Sequence, residues 1–394
     1  MNSNTNPDNL FVPTYKRSGA PLIRGEGMYL YDADGKSYLD FCSGIAVNAL
    51  GHAHPQLVET VQKQAAELIH TSNLYFSKPQ IDFAEKLIKH SFASKVFLCN
   101  SGTEANEAAI KFARKKAAKI SADKYHVLSF SESFHGRTYA SMTATAQSKI
   151  HSGFGPLPAG FHYSPFNDAK TAGGLLELHD FAAIIVEPIQ AEGGVNVADV
   201  DFLQFLREYA NSHSISLIFD EIQCGTGRTG KLWCYEHTGV TPDIMTLAKP
   251  IGGGLPLGAV LCTDEIAACI SPGDHGSTFG GNPVACALGA KTLDIIAEPA
   301  FLKQVQTNGN YLKGKLEELK TKYPSIRSIR GEGLLLGVRF KGDFGTLVDD
   351  CKTAGLLLAR ANFNTVRFLP PLNVGTEDID KAVNIFDTVL SKGY

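Results

Sequence analysis

Apolar and polar positions follow two periods along this chain, and stretches with each period alternate. Gly27 to Phe41 sets alternating apolar residues around Asp34-Gly35, which predicts a β-hairpin. Gln56 to Ile69 carries Leu57, Val58, Val61, Ala65, Leu68 and Ile69 at helical spacing. The stretches 95–99 and 125–130 have strand length, and 181–186 is the continuous apolar run of a buried strand. Asp201 to Ala210 has the Phe202, Leu203, Phe205, Leu206, Tyr209 pattern of an amphipathic helix. Two further apolar runs of strand length lead to Asp220 and Lys249, and Val284 to about Ile296 predicts an Ala-rich helix. Strands alternating with helices argue for an α/β layered domain. From about Glu298 the pattern changes. It predicts a helix over 301–320, strands near 326–330 and 334–340, a helix near 344–354, a strand near 356–359 and a last helix from Glu377. That order suggests a second, smaller α+β unit, with no internal repeat and no low-complexity segment.

Length supports two units, because 394 residues exceed the roughly 250–300 at which a single core stops growing. A net charge of −3 with no long basic run gives no reason to expect nucleic acid or an anionic membrane as partner. Eight scattered cysteines without paired spacing suggest buried thiols in a reducing compartment. Met1 to Asp8 has neither an apolar core nor an arginine-rich amphipathic pattern, and no stretch approaches 18 apolar residues, so a cytoplasmic enzyme of small molecules is expected.

The chemistry concentrates where apolar runs end. Asp220 closes one run and Lys249 follows another, and in an α/β sheet the crevice at strand ends is where ligands bind. A carboxylate and an amine delivered there match what pyridoxal phosphate requires: a lysine for its Schiff base and an acid beside the pyridinium nitrogen. Asn100-Ser101-Gly102-Thr103 opens a helix whose free amides suit a phosphate, although an ordinary N-cap explains the same residues. Phe134, after a strand, can stack on a flat ring, and Arg137 can hold a carboxylate with its planar fork. Gly225-Thr226-Gly227-Arg228-Thr229-Gly230 matches the dinucleotide fingerprint, which keeps an NAD-dependent oxidoreductase as a rival. Four residues separate it from the strand, and Lys231 to Tyr235 does not clearly open a crossover helix. His52-Ala53-His54 lacks a neighbouring acid or thiol in sequence, so no metal site is expected.

Taken in order, Gly44 to Pro55, Ser101 to Lys111, Phe134 to Thr138, Val186 to Gly194, Phe219 to Gly230, Asp243 to Gly258 and His275 to Pro283 resemble the class III pyridoxal-phosphate aminotransferases, most narrowly their acetylornithine branch. The resemblance runs from about Tyr29 to the end. It implies the type I aminotransferase fold: a large α/β domain, 56–299, with a mostly parallel seven-stranded sheet, and a small domain from both chain ends, 1–55 and 300–394. It implies that Lys249 carries the cofactor and then moves the proton, that Asp220 pairs with the pyridine nitrogen, and that Gln223 bonds the ring hydroxyl. Phe134 should stack on the ring, Ser101, Gly102 and Thr103 should hold the phosphate, and Glu187 should support Asp220 or the ring. Thr278 should reach the phosphate of a second subunit, which makes a homodimer the minimum unit. Arg137, Glu192, Ser277 and Arg367 should meet substrate, with Glu192 and Arg367 pairing as a switch between two unlike substrates. Two departures stand out: Ala191 where much of the family has glycine, and Pro250 directly after the lysine. The implied reaction moves the terminal amino group of N2-acetyl-L-ornithine to 2-oxoglutarate. Succinylornithine, succinyl-diaminopimelate, ornithine and 4-aminobutyrate remain alternative donors.

Overall fold

Seven strands assemble into one sheet. In the computed structural model, which describes residues 10–394, they are β1 Lys95–Cys99, β2 His126–Phe130, β3 Phe161–Ser164, β4 Phe181–Val186, β5 Ser216–Asp220, β6 Ile244–Leu247 and β7 Gly258–Cys262. The expectation for Met1–Asp8 lies outside the described residues. The order across the sheet is β1-β7-β6-β5-β4-β2-β3. β7 runs antiparallel to both its neighbours, and every other adjacent pair is parallel. The central strands β4 and β5 are buried along their whole length, as an unbroken apolar run requires when both faces are covered.

One face is covered by the helix Gly102–Ala117, whose small residues Ala105, Ala108, Ala109 and Ala113 are fully buried against Ile185, Ile218, Ile244 and Val260. The other face is covered by Ala169–Leu176 and Val200–Ser212, through Phe202, Leu203 and Leu206. No helix among the described residues is long and apolar enough to cross a membrane.

Both chain ends contribute to smaller sheets. Leu22–Glu26, Tyr29–Asp32 and Ser37–Asp40 join Leu356–Leu357 in one of them. Ile326–Glu332, Leu335–Phe340, Thr365–Phe368 and Ala359–Ala361 form another. The single strand expected near 356–359 is therefore two: Leu356–Leu357 pairs with Ser37–Asp40, and Ala359–Ala361 pairs with Thr365–Phe368. The helix expected over 344–354 is shorter, Leu347–Thr353.

Candidate active site

Because β4, β5 and β6 run parallel, their C-terminal ends open on one side, and the residues that follow converge there. Glu187 follows β4, Asp220 ends β5, and Lys249 lies two residues beyond β6. Together with the turn before the helix Gly102–Ala117 they border a cavity of about 430 Å³. Lys249, Asp220, Ser101, Gly102, Thr103, Phe134, Glu187, Gln223, Arg137 and Glu192 all line it. Arg367 lies behind Glu192 and is 1% exposed. Ser277 and Thr278 do not border the cavity. Thr278 is exposed, and the Ser277 hydroxyl accepts from Asn100 Nδ2 at 3.0 Å.

Asp220 is buried and fixed from three sides. Its Oδ2 accepts from Asn106 Nδ2 at 2.7 Å and sits 2.8 Å from His135 Nδ1, while Oδ1 accepts from the Ile222 amide at 3.1 Å. Asn106 is held in turn by the Thr246 hydroxyl, which donates to its Oδ1 at 2.8 Å, and by the His135 carbonyl. Sequence reasoning missed Asn106, His135 and Thr246. A signal existed for Asn106, a polar residue on the otherwise alanine-rich buried face of its helix.

Glu187 does not bond Asp220. It accepts from the Phe134 amide at 2.8 Å, and burial, reinforced by the charge of Asp220, pushes its carboxyl well above the ordinary range. Lys249 has φ of 49°, a strained setting for a residue with a side chain, directly before Pro250. Burial lowers its amine below the ordinary range; Glu192 pulls it back up and Arg367 adds to the lowering.

Glu192 and Arg367 form a two-pronged ion pair, NH1 to Oε1 at 2.7 Å and NH2 to Oε2 at 2.8 Å. Burial alone would raise Glu192, but the charges of Arg367 and Lys249 outweigh it and hold the carboxyl below its usual range. Gln223 joins this pair, accepting from Arg367 NH1 at 2.7 Å and donating to Glu192 at 3.3 Å. Its expected partner, a ring hydroxyl, would have to compete with them. Arg137 is exposed at the cavity, its guanidinium 5.5 Å from the Phe134 ring centre, and makes no ion pair among the described residues.

With this geometry in hand, known proteins supply a family. The model of aminotransferase class III matches residues 14–390. The chain belongs to the class III aminotransferases. It is 46% identical to the acetylornithine aminotransferase of Methanocaldococcus jannaschii, over 96% of this chain and 95% of that one. Against the acetylornithine aminotransferase of Bacillus subtilis it is 45% identical, over 94% and 95%. Among solved structures, the N-acetylornithine aminotransferase of Stenotrophomonas maltophilia superposes with a TM-score of 0.85 at 36% identity, covering 96% of this chain and 97% of that one. The ornithine aminotransferase of Toxoplasma gondii, described with partial occupancy of pyridoxal phosphate at its active site, superposes with a TM-score of 0.92 at 31% identity, covering 97% and 92%.

Class III aminotransferases work with pyridoxal phosphate. The residues present fit that group. A helix leaves its first amides unpaired; Ser101 Oγ accepts from Glu104 at 3.4 Å, and Gly102 and Thr103, both on the cavity, keep theirs for an anion. A Cβ added to Gly102 would come within 2.7 Å of the Ile222 side chain, so glycine lets the helix start pack closely against it. The dinucleotide reading fails on the same ground. Only a four-residue 3-10 turn, Cys234–His237, follows Gly230 in place of a crossover helix, and a Cβ at Gly227 or Gly230 would approach Ile296 to 2.5 Å or Gln306 to 3.0 Å. Those glycines serve packing against the segment 296–306.

Proposed function

We propose that this aminotransferase moves the terminal amino group of N2-acetyl-L-ornithine to 2-oxoglutarate, giving N-acetyl-L-glutamate 5-semialdehyde and L-glutamate, as a step of arginine biosynthesis in the cytoplasm. The observation that carries the reading is the Glu192–Arg367 pair beside a cavity that also holds Lys249 and the free cation Arg137. A donor whose reacting amine is far from its carboxylate needs no cation at the reacting carbon, whereas glutamate does. A paired arginine that can be released serves both. The names of the relatives at 45–46% identity point the same way.

In this reading Lys249 holds the cofactor, Asp220 pairs with its ring nitrogen, Phe134 lies against its ring, and Ser101, Gly102 and Thr103 hold its phosphate. Pyridoxal phosphate, when bound, supplies the electron sink for the pair released as the C–H bond of the reacting carbon breaks. Lys249 Nζ takes that proton in one half-reaction and delivers one in the other. Its lowered basicity favours the neutral amine that must accept it. Asn106 and His135 orient the Asp220 carboxylate. Arg137 grips the α-carboxylate of the donor and the distal carboxylate of glutamate.

Initial rates with 2-oxoglutarate and a panel of N2-acetylornithine, N2-succinylornithine, succinyl-diaminopimelate, ornithine and 4-aminobutyrate test the assignment. Acetylornithine should give the highest kcat/KM. A higher value for another amine would reassign the donor and leave the family untouched.

A further inference from the structure

Three histidines meet at the opposite end of the sheet from Asp220 and Lys249. His126 begins β2, His162 is the second residue of β3, and His179 lies two residues before β4. In parallel strands these are the N-terminal ends, whereas Asp220 closes the C-terminal end of β5. The three are far apart in sequence, and the sheet register brings them together: β2 pairs with β3 through Leu128 and His162, and with β4 through His126 and Phe181. One ligand nitrogen from each lies within 4.8 Å of the others. His126 Nδ1 and His162 Nε2 stand 2.8 Å apart, so one of the two nitrogens presents a lone pair to the other. The ring of His179 lies 4.2 Å from that of His162 and 4.7 Å from that of His126.

We propose that His126, His162 and His179 form a binding site for a divalent transition metal ion, zinc above all. Three imidazoles with an open fourth position are a donor set that zinc, nickel, cobalt and copper ions take, and calcium or magnesium do not. Tetrahedral zinc, about 2.0–2.1 Å from each nitrogen, sets ligand nitrogens about 3.3–3.4 Å apart. That spacing falls between the 2.8 Å contact and the 4.8 Å outer limit of the cluster, within reach of small ring rotations. The surroundings suit it. Phe181 presents an apolar floor 5.3 Å from His162, and Tyr125 stacks on His126 at 4.3 Å, while exposed His179 leaves an entry path from water. A bound ion would tie β2, β3 and the start of β4 at the end of the sheet opposite the cavity, so its effect falls on stability.

Calorimetric titration of the untagged, chelator-treated holoenzyme with zinc chloride reads the site directly, and cobalt(II) absorption reports its geometry. One ion per chain is expected, with a rise in melting temperature on zinc addition. His179→Gln, on the surface and safe for folding, should weaken binding about tenfold or more, since even losing a group behind a ligand costs 10–100-fold. His162→Gln should do the same. His213→Gln, at a nearby histidine outside the cluster, should leave it unchanged, and His179→Gln should keep full transaminase activity. Absence of a site in the wild type, or equal affinity in wild type and His179→Gln, overturns the proposal. So does loss of binding in His213→Gln.

Discussion

Arg367 is a buried cation whose two terminal nitrogens are saturated by Glu192, Gln223 and the Arg360 carbonyl. A carboxylate that reaches Arg367 would have to displace the one already there, and in the proposed reading Glu192 is that gate. Glu192→Ala should improve glutamate and other α-amino acids relative to acetylornithine by about 1–3 kcal/mol, the range for a hydrogen-bonded charge partner. Arg367→Ala should spare the donor half-reaction and cripple the glutamate half. Single-turnover absorbance changes with each substrate alone measure the two halves separately, and equal losses in both halves for both variants would sink the switch. Glu187 permits a second prediction. Its folded carboxyl titrates above its unfolded value, because burial and then Asp220 disfavour the charge. Between the unfolded value, about 4.3, and the raised one the native state holds the extra proton, so stability falls as pH rises through that window and is flat above it. Glu187→Gln keeps an acceptor for the Phe134 amide and removes the proton. The stability curve, read by urea unfolding from pH 4 upwards, should lose a slope of up to about 1.4 kcal/mol per pH unit. An unchanged slope would assign the titration elsewhere.

At the scale of elements, the apolar runs revealed β1, β2, β4, β5 and β6 because apolar residues form the majority of each, beside turn residues. β7, Gly258-Ala259-Val260-Leu261-Cys262, escaped because glycine and proline crowd its entry, and Phe161–Ser164 and Thr365–Phe368 escaped because only two of the four residues in each are apolar. The site was legible in position at strand ends, since Lys249 and Asp220 both line the cavity. It was not legible where a residue acts through tertiary packing, as with Asn106, His135 and Asp40. His52, read as lacking an acid partner, has one in space: its Nε2 lies 2.8 Å from Asp40 Oδ2. The other oxygen of Asp40 accepts from the amides of Cys42 and Ser43 at 3.0 and 2.8 Å. These bonds brace the turn Ser43–Ala46, wound left-handed with φ of 51°, 63°, 62° and 63°, which leads to Val47 on the cavity wall. That winding costs roughly 1–2 kcal/mol for each residue with a side chain, so the bracing must offset it. Asp40→Ala should destabilise by about 1–3 kcal/mol for each buried donor left unpaired and raise KM for the amine more than it lowers kcat. A variant with native melting temperature and native KM would show that the turn holds without Asp40.

At the scale of the whole molecule, Thr278, expected at the phosphate of a second subunit, is exposed and does not border the cavity of its own chain. The loop that carries Thr278 is hydrogen-bonded to a segment bearing an exposed apolar ridge. Asn73 Nδ2 donates to the carbonyls of Ser277 and Gly280 at 2.8 and 2.9 Å, and beside it Leu74, Tyr75 and Phe76 are 84%, 71% and 90% exposed, with Phe279 at 62%. Consecutive large apolar side chains at that exposure mark a surface that another protein covers. We propose a second copy of this chain as the occupant. A two-fold contact uses the same patch on each chain, so a contact through the ridge would put the Thr278 loop, tied to it by Asn73, at the interface, and in the proposed reading that loop meets the phosphate site of the other subunit. We therefore expect the wild type to sediment as a dimer and Phe76→Asp, which sets a charge in the patch, to dissociate it, with activity recovered only at high protein concentration. Thr278→Ala should leave the dimer intact and weaken cofactor retention alone. Mixing Thr278→Ala with Lys249→Ala subunits separates the two roles. The heterodimer contains one site with the lysine of the first chain and the threonine of the second, so it should regain near-native cofactor affinity at that site. A Phe76→Asp monomer with undiminished activity on dilution would rule out the shared site.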